Sequence, residues 1–204
     1  DNATLTVTAQ SADMSAAFAN VPSVVRPGQS LTGLSLTCTN SATAAAAATS
    51  ATCTPMVDVG SISAVTCTPA VGGSVAAGAA IVCSFNYTAP GTQGGADETT
   101  TTVTFTGTTG AANDAVASNN IVTTAATMLD AVNDTASAAG GLTGQSTNLA
   151  ANDQYPANSS FSLVSAGTTC AAPTVSATGT AGYTVPASGS CLVNYQVCAP
   201  APNA

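Results

Sequence analysis

Ile81-Val82-Cys83-Ser84-Phe85-Asn86-Tyr87-Thr88 places Ile81, Cys83, Phe85 and Tyr87 on one side of an extended chain and Val82, Ser84, Asn86 and Thr88 on the other. Such a period of two marks a half-buried antiparallel strand. The same alternation recurs on both sides of it: Leu34, Leu36 and Cys38 alternate with Ser35 and Thr37, and Val103 and Phe105 with Thr102, Thr104 and Thr106. Thr suits the wet face because its β-branch favours extended backbone while its hydroxyl meets water. Turn chemistry separates the runs at Pro27-Gly28, Gly72-Gly73, Pro90-Gly91, Gly94-Gly95 and Gly140-Gly141. Short strands punctuated in this way predict an all-β chain of antiparallel β-sandwiches. Helix competes only in the Ala-rich stretch 41–52, but that stretch has no amphipathic periodicity and reads as a turn and a strand.

Composition narrows the chemistry. Charged residues make up 5% of the 204, Arg26 is the single basic one, and Lys, His and Trp are absent. A Ser-His-Asp triad, a Cys-His pair, a Schiff-base lysine and a His-ligated metal are therefore unavailable, and the chain does not read as an enzyme. A formal net charge of -8 repels polyanions and offers no counterion release, which excludes nucleic acid as a partner. The apolar run 44–48 is far shorter than the roughly 18 residues of a membrane span. A chain that opens at Asp1 without a signal peptide reads as already processed or as excised from a longer polypeptide. Seven cysteines without His and without C-x-x-C spacing point to disulfides rather than zinc, hence to an extracellular or cell-surface location.

Two tandem domains are expected. Residues 11–128 carry Val25-Arg-Pro-Gly-Gln-Ser-Leu31, Leu36-Thr-Cys-Thr-Asn40, Val75-Ala-Ala-Gly-Ala-Ala-Ile-Val-Cys83 and Ala117-Ser-Asn-Asn-Ile-Val122. That order resembles the Ig-like repeats of unknown function in bacterial surface proteins. Residues 129–204 open with Asp130-Ala-Val-Asn-Asp-Thr135, followed by Asn148-Leu-Ala-Ala-Asn-Asp153. This pair resembles the bacterial cadherin-like tandem repeats, in which a closing strand of the type Asp-Thr-Ala-Thr-Val-Thr-Val comes last. Asp1-Asn-Ala-Thr-Leu-Thr-Val7 matches that strand, with Leu5, Val7 and Ala9 facing one way and Thr4, Thr6 and Thr8 the other. The resemblance thus implies two Ig-like sandwiches, the second lacking its last strand, and an N-terminal segment 1–10 that closes the second domain of a neighbouring unit.

Four cysteines in the first domain allow three pairings. Cys38 and Cys83 share the inward phase of long strands that an Ig-like sheet would make neighbours, and Cys53 and Cys67 flank a short connection with Pro55 and Gly60. The expected bonds are Cys38 to Cys83 and Cys53 to Cys67. Cys191 and Cys198 lie on one apparent strand, roughly 23 Å apart at about 3.3 Å per residue, too far to join. Cys191 shares the phase of Val193, Tyr195 and Val197 and is expected to meet Cys170; Cys198 is left for a neighbouring unit.

Asp130, Asn133, Asp134, Asn152 and Asp153 could gather at one end of the second domain, and Asp130, Asp134 and Asp153 are candidate calcium ligands there. Asn-Asp pairs are equally at home in turns without a metal, and no cofactor is expected. Asp97-Glu98 is an adjacent carboxylate pair in a Gly-rich loop, unlike the separated pair a glycosidase needs. Asn2, Asn86, Asn133 and Asn158 open N-glycosylation acceptor triplets, and Ser or Thr could carry O-linked sugar. The expected function is that of a structural unit of an extracellular filament or giant repeat surface protein, joined head to tail to identical neighbours by an exchanged strand. A surface adhesin or carbohydrate-binding module is the alternative. It would need an exposed aromatic ring, for which Tyr155, beside Pro156, is the best candidate.

Overall fold

The computed structural model describes residues 10–94 and 101–201. Its strands, in chain order, are β1 (Met14–Ala19), β2 (Val24–Val25), β3 (Ser30–Asn40), β4 (Thr52–Val57), β5 (Ser61–Thr68), β6 (Ala80–Thr88), β7 (Thr102–Gly110), β8 (Ile121–Met128), β9 (Gln145–Asn148), β10 (Ser160–Ala166), β11 (Ala171–Val175), β12 (Thr180–Thr184) and β13 (Val193–Cys198). The described helical segments are single 3-10 turns at Ala117–Asn119 and Leu149–Ala151. The chain is all-β, and its sheets are antiparallel apart from a short parallel pairing of Val24 and Val25 with Thr127 and Met128. Two compact units share it. One comprises the described part of Asp1–Val21 with Ser30–Thr88 and Thr104–Ala125; the other comprises Pro22–Gln29, Ala89–Val103 and the described part of Ala126–Ala204. The second unit thus also takes in segments from the range 11–128.

One sheet runs in the order β1-β3-β6-β5 and another in the order β2-β8-β7-β4. In the first unit the alternation read from sequence becomes burial: Leu34, Leu36, Cys38, Ile81, Cys83, Phe85 and Tyr87 are all buried. Phe105 on β7 reaches across to that layer, its ring 4.9 Å from Tyr87 and 6.3 Å from Phe18, both edge to face. Aromatic pairs at such angles contribute about 0.5–1.5 kcal/mol beyond their buried area. Close approach of the layers requires glycine at position 107, where any Cβ would run into the methyl groups of Leu36 and Val122. Pro55 lies on β4, an edge strand, where its missing N–H removes no ladder bond from a sheet interior. After β4 the chain crosses to β5 in the other sheet. Gly60 makes that crossing at φ +81, with Tyr87 so close that a side chain would collide.

This crossing overturns two expected disulfides. Cys53 and Cys67 flank a short connection, yet it carries them into different sheets, so they do not pair. Cys38 and Cys83 lie on adjacent strands but out of register, with Cys38 opposite Ile81 and Cys83 opposite Leu36. Cys38 instead bonds Cys53 across the sheets (Cα–Cα 5.8 Å), and Cys83 bonds Cys67, its direct neighbour on β5 (Cα–Cα 4.0 Å). Cys170 and Cys191 form the third bond, the pair read from strand phase.

The Ala-rich stretch is corrected as well. It contains neither helix nor an extended strand before Thr52, only turns and one bridge from Ala48 to Val75. Ala48 and Val75 exchange backbone N–H bonds (2.8 and 2.9 Å), Ala51 N–H donates to Gly73 O (3.0 Å), and side-chain amides add to these. Asn40 Nδ2 donates to Ala46 O (3.1 Å) and Val75 O (3.0 Å), and Asn113 Nδ2 donates to Ala47 O (2.9 Å).

In the second unit, β10 pairs with β13, and β11-β12-β9 form a three-stranded sheet. Pro173 again falls on an edge strand, β11, at an irregularity in register.

Candidate functional site

β13 has β10 as its one partner among the described residues. Its register, Phe161 to Val197 and Leu163 to Tyr195, puts Leu163, Val193, Tyr195 and Val197 on the face shared with buried Phe161. That face is poorly covered: Leu163 is 38% exposed, and Val193, Tyr195 and Val197 are only half-buried. Beside it lies a cleft of about 450 Å³, lined in part by Leu149, Ala181, Tyr183, Val193 and Tyr195. Seven consecutive residues, 189–195, line this cleft, and the last three, Val193, Asn194 and Tyr195, belong to β13. Side chains of a strand alternate between faces, so the cleft meets β13 along its edge there, where backbone donors and acceptors are available.

One end of the cleft is polar. The Tyr195 hydroxyl lies 3.1 Å from Val132 O, 3.1 Å from Asp134 Oδ2 and 3.1 Å from each carboxylate oxygen of Asp153. It has one proton to donate and meets three acceptor groups. Asp153 Oδ1 also accepts from Val132 N–H at 2.7 Å. Asn152, with its amide turned to donate, bonds Asp134 Oδ1 (3.0 Å) and Leu149 O (3.2 Å). Leu149 is brought there by the 3-10 turn Leu149–Ala151, which Asn148 caps by accepting from Ala150 N–H (3.1 Å).

Burial pushes Asp153 up to about 6, helped by the charges of Asp134 and Asp130 and opposed by the bonds from Val132 and Tyr195. Burial also raises Asp134, against the bonds from Tyr195 and Asn152. The Tyr195 hydroxyl is held protonated, by burial first and then by the two neighbouring carboxylates. The carboxylates face different spaces: Asp134 lines the larger cleft, whereas Asp153 lines a smaller one of about 210 Å³ with Gln154 and Tyr155.

No family model, curated protein or solved structure matches this chain.

Asp130 is bridged through its backbone to Gln154, next to Asp153, but its side chain is fully buried and its Oδ1 accepts from Gly94 N–H at 2.7 Å. Among the described residues no three acidic, His or Cys side chains converge as a metal-binding group, so the calcium candidates do not form one. Tyr155 is 36% exposed and packs edge to face on Phe161, 5.1 Å between centroids. Cys198 is a free, half-buried thiol at the end of β13, opposite Ser160. Asn133 and Asn158 are exposed, while Asn86 is half-buried on β6. Leu5, Val7, Ala9, Asn2 and the Asp97-Glu98 pair lie outside the described residues. The sequence pattern placed Tyr195 on one strand face with Val193 and Val197 and did not show its role in joining the acidic segments. The available signal was its inward phase between Val193 and Val197, since a phenol in a core needs an acceptor.

Proposed function

We propose that this chain is a structural unit of an extracellular filament or giant repeat surface protein, in which successive units are joined by strand complementation. The observation that carries this reading is the edge of β13, unpaired among the described residues, beside a cleft of mixed apolar and polar lining. A free edge offers a row of unpaired backbone groups, and an adjacent uncovered core offers seats for alternate side chains; together they favour addition of a strand. A segment with the pattern of residues 1–10 fits in kind: Leu5, Val7 and Ala9 would enter the cleft and Thr4, Thr6 and Thr8 would face water. The resemblance of 129–204 to cadherin-like repeats and of 11–128 to Ig-like surface repeats points the same way. Three disulfides fit an oxidising, extracellular setting, and no described helix is long and apolar enough to cross a membrane. A catalytic role is disfavoured because Asp134 and Asp153 open onto separate clefts and do not flank one substrate.

An adhesin or carbohydrate-binding role has one observation in its favour, the partly exposed Tyr155 ring at the smaller cleft. The two readings separate on assembly. Val7→Asp places a charge on the side of the strand that would enter the core, so the wild-type chain should form head-to-tail oligomers in light scattering and electron microscopy while the variant stays monomeric. Oligomers of equal length from the variant would defeat the strand-exchange reading.

A further inference from the structure

We propose that strand addition at the β13 cleft is proton-linked: Asp134, which lines the cleft, and Asp153, which shares the Tyr195 hydroxyl with it but opens onto the smaller cleft, together take up a proton when a strand covers Asp134 and Tyr195, so the unit binds its neighbour more tightly in mildly acidic than in neutral solution. This inference rests on the strand-complementation reading and adds a regulation to the same site.

The geometry supplies a shortage of protons. Tyr195 brings one to Val132 O, Asp134 and Asp153, all at 3.1 Å. With both carboxylates ionised, two negative groups converge on one hydroxyl. A proton on Asp153 turns an acceptor into a donor and lets the three groups form a continuous hydrogen-bonded chain. The surroundings do not relieve the charge. Asn152 and the Val132 N–H donate neutral hydrogen bonds, the charges acting on Asp153 are those of Asp134 and Asp130, and among the described residues neither carboxylate has a basic partner. Burial already holds both carboxyls above the ordinary range.

Asp134 and Tyr195 are still half-exposed and line the open cleft. A strand laid along β13 would remove water from them. Desolvation disfavours the charged form of a carboxyl, so the covered site would hold a proton to higher pH than the open one. By linkage, a complex that binds more protons than its free components gains affinity as pH falls.

The test uses the full 204-residue chain and a fluorescent peptide with the sequence Asn-Ala-Thr-Leu-Thr-Val-Thr-Ala-Gln, that of residues 2–10. Fluorescence anisotropy gives Kd at pH 5.0 and pH 7.5. Uptake of a fraction of one proton predicts binding tighter at pH 5.0 by about threefold or more. Asp153→Asn, which keeps the acceptor for the Val132 N–H, and Asp134→Asn should each flatten that dependence while still binding the peptide. Equal affinity of the wild-type chain at both pH values, or an unchanged slope in both variants, overturns the proton linkage and leaves strand addition standing. Failure of the peptide to bind at either pH, with the Val7→Asp peptide behaving identically, overturns strand addition and the linkage with it.

Discussion

Cys67 on β5 stands directly across from Cys83 on β6, with 4.0 Å between their Cα atoms and a disulfide joining them. Cys38, two residues out of register with Cys83, is bonded to Cys53 in the other sheet. One bond clips two strands of a sheet, and the other holds two sheets together. Closing loops of 15 and 16 residues, each stabilises the fold by about 3 kcal/mol in the chain-entropy description.

Non-reducing peptide mapping should therefore recover fragments joined through Cys38 and Cys53 and through Cys67 and Cys83. The double variant Cys38→Ala, Cys53→Ala should unfold at lower urea concentration by an amount equivalent to about 3 kcal/mol. A fragment joining Cys38 to Cys83 would contradict the register of β3 and β6.

Asn40 is the buried polar hub of the first unit. Its Oδ1 accepts from Asp13 N–H (3.1 Å), and its Nδ2 donates to Ala46 O and Val75 O, tying β3 to the entry of β1 and to the Ala-rich turn. Asn40→Ala strands buried backbone groups, at a cost of about 2–3 kcal/mol. Urea denaturation reads this directly. A loss smaller than about 0.5 kcal/mol would mean that the turn holds without the amide.

Asp153 makes stability depend on pH in the less common direction. Its carboxyl is raised in the folded chain to about 6 from an ordinary value of 3.8, so between these values the folded state binds more protons than the unfolded. The contribution is full below 3.8, is lost as pH rises through about 6, and is flat above. The melting temperature of the second unit should accordingly fall from pH 4 to pH 7. Asp153→Asn should remove much of that slope and melt higher than wild type at pH 7.5. A melting temperature that climbs across this window would refute the assignment.

Local pattern was a sound guide wherever local physics decides. Leu34 to Cys38, Ile81 to Tyr87 and Val103 to Phe105 alternate because pleated backbone sends successive side chains to opposite faces, and they are the buried rows of β3, β6 and β7. The Cys170–Cys191 bond matches the expected pair, although β13 begins only at Val193, so Cys191 lies before the strand whose phase suggested it. The Ala-rich turn was misread because its conformation is set by partners elsewhere in the chain, among them the Asn40 and Asn113 amides and the backbone of Val75 and Gly73. At the candidate site, the acidic residues were visible in sequence but not their meeting point. Asp134 and Asp153 are joined by Tyr195, which lies 61 and 42 residues away along the chain.

By itself, then, the sequence determined an all-β chain with strand rows, turns, few charges and no imidazole or lysine side chains. These follow from composition and a two-residue period, which every short segment expresses alone. Tertiary structure decided which cysteine faces which, that β13 pairs with β10 alone among the described residues, and that Tyr195 shares its single proton among Val132, Asp134 and Asp153. The physical reason is register: a shift of two residues between strands moves a side chain by about 7 Å along the sheet while leaving the local pattern unchanged.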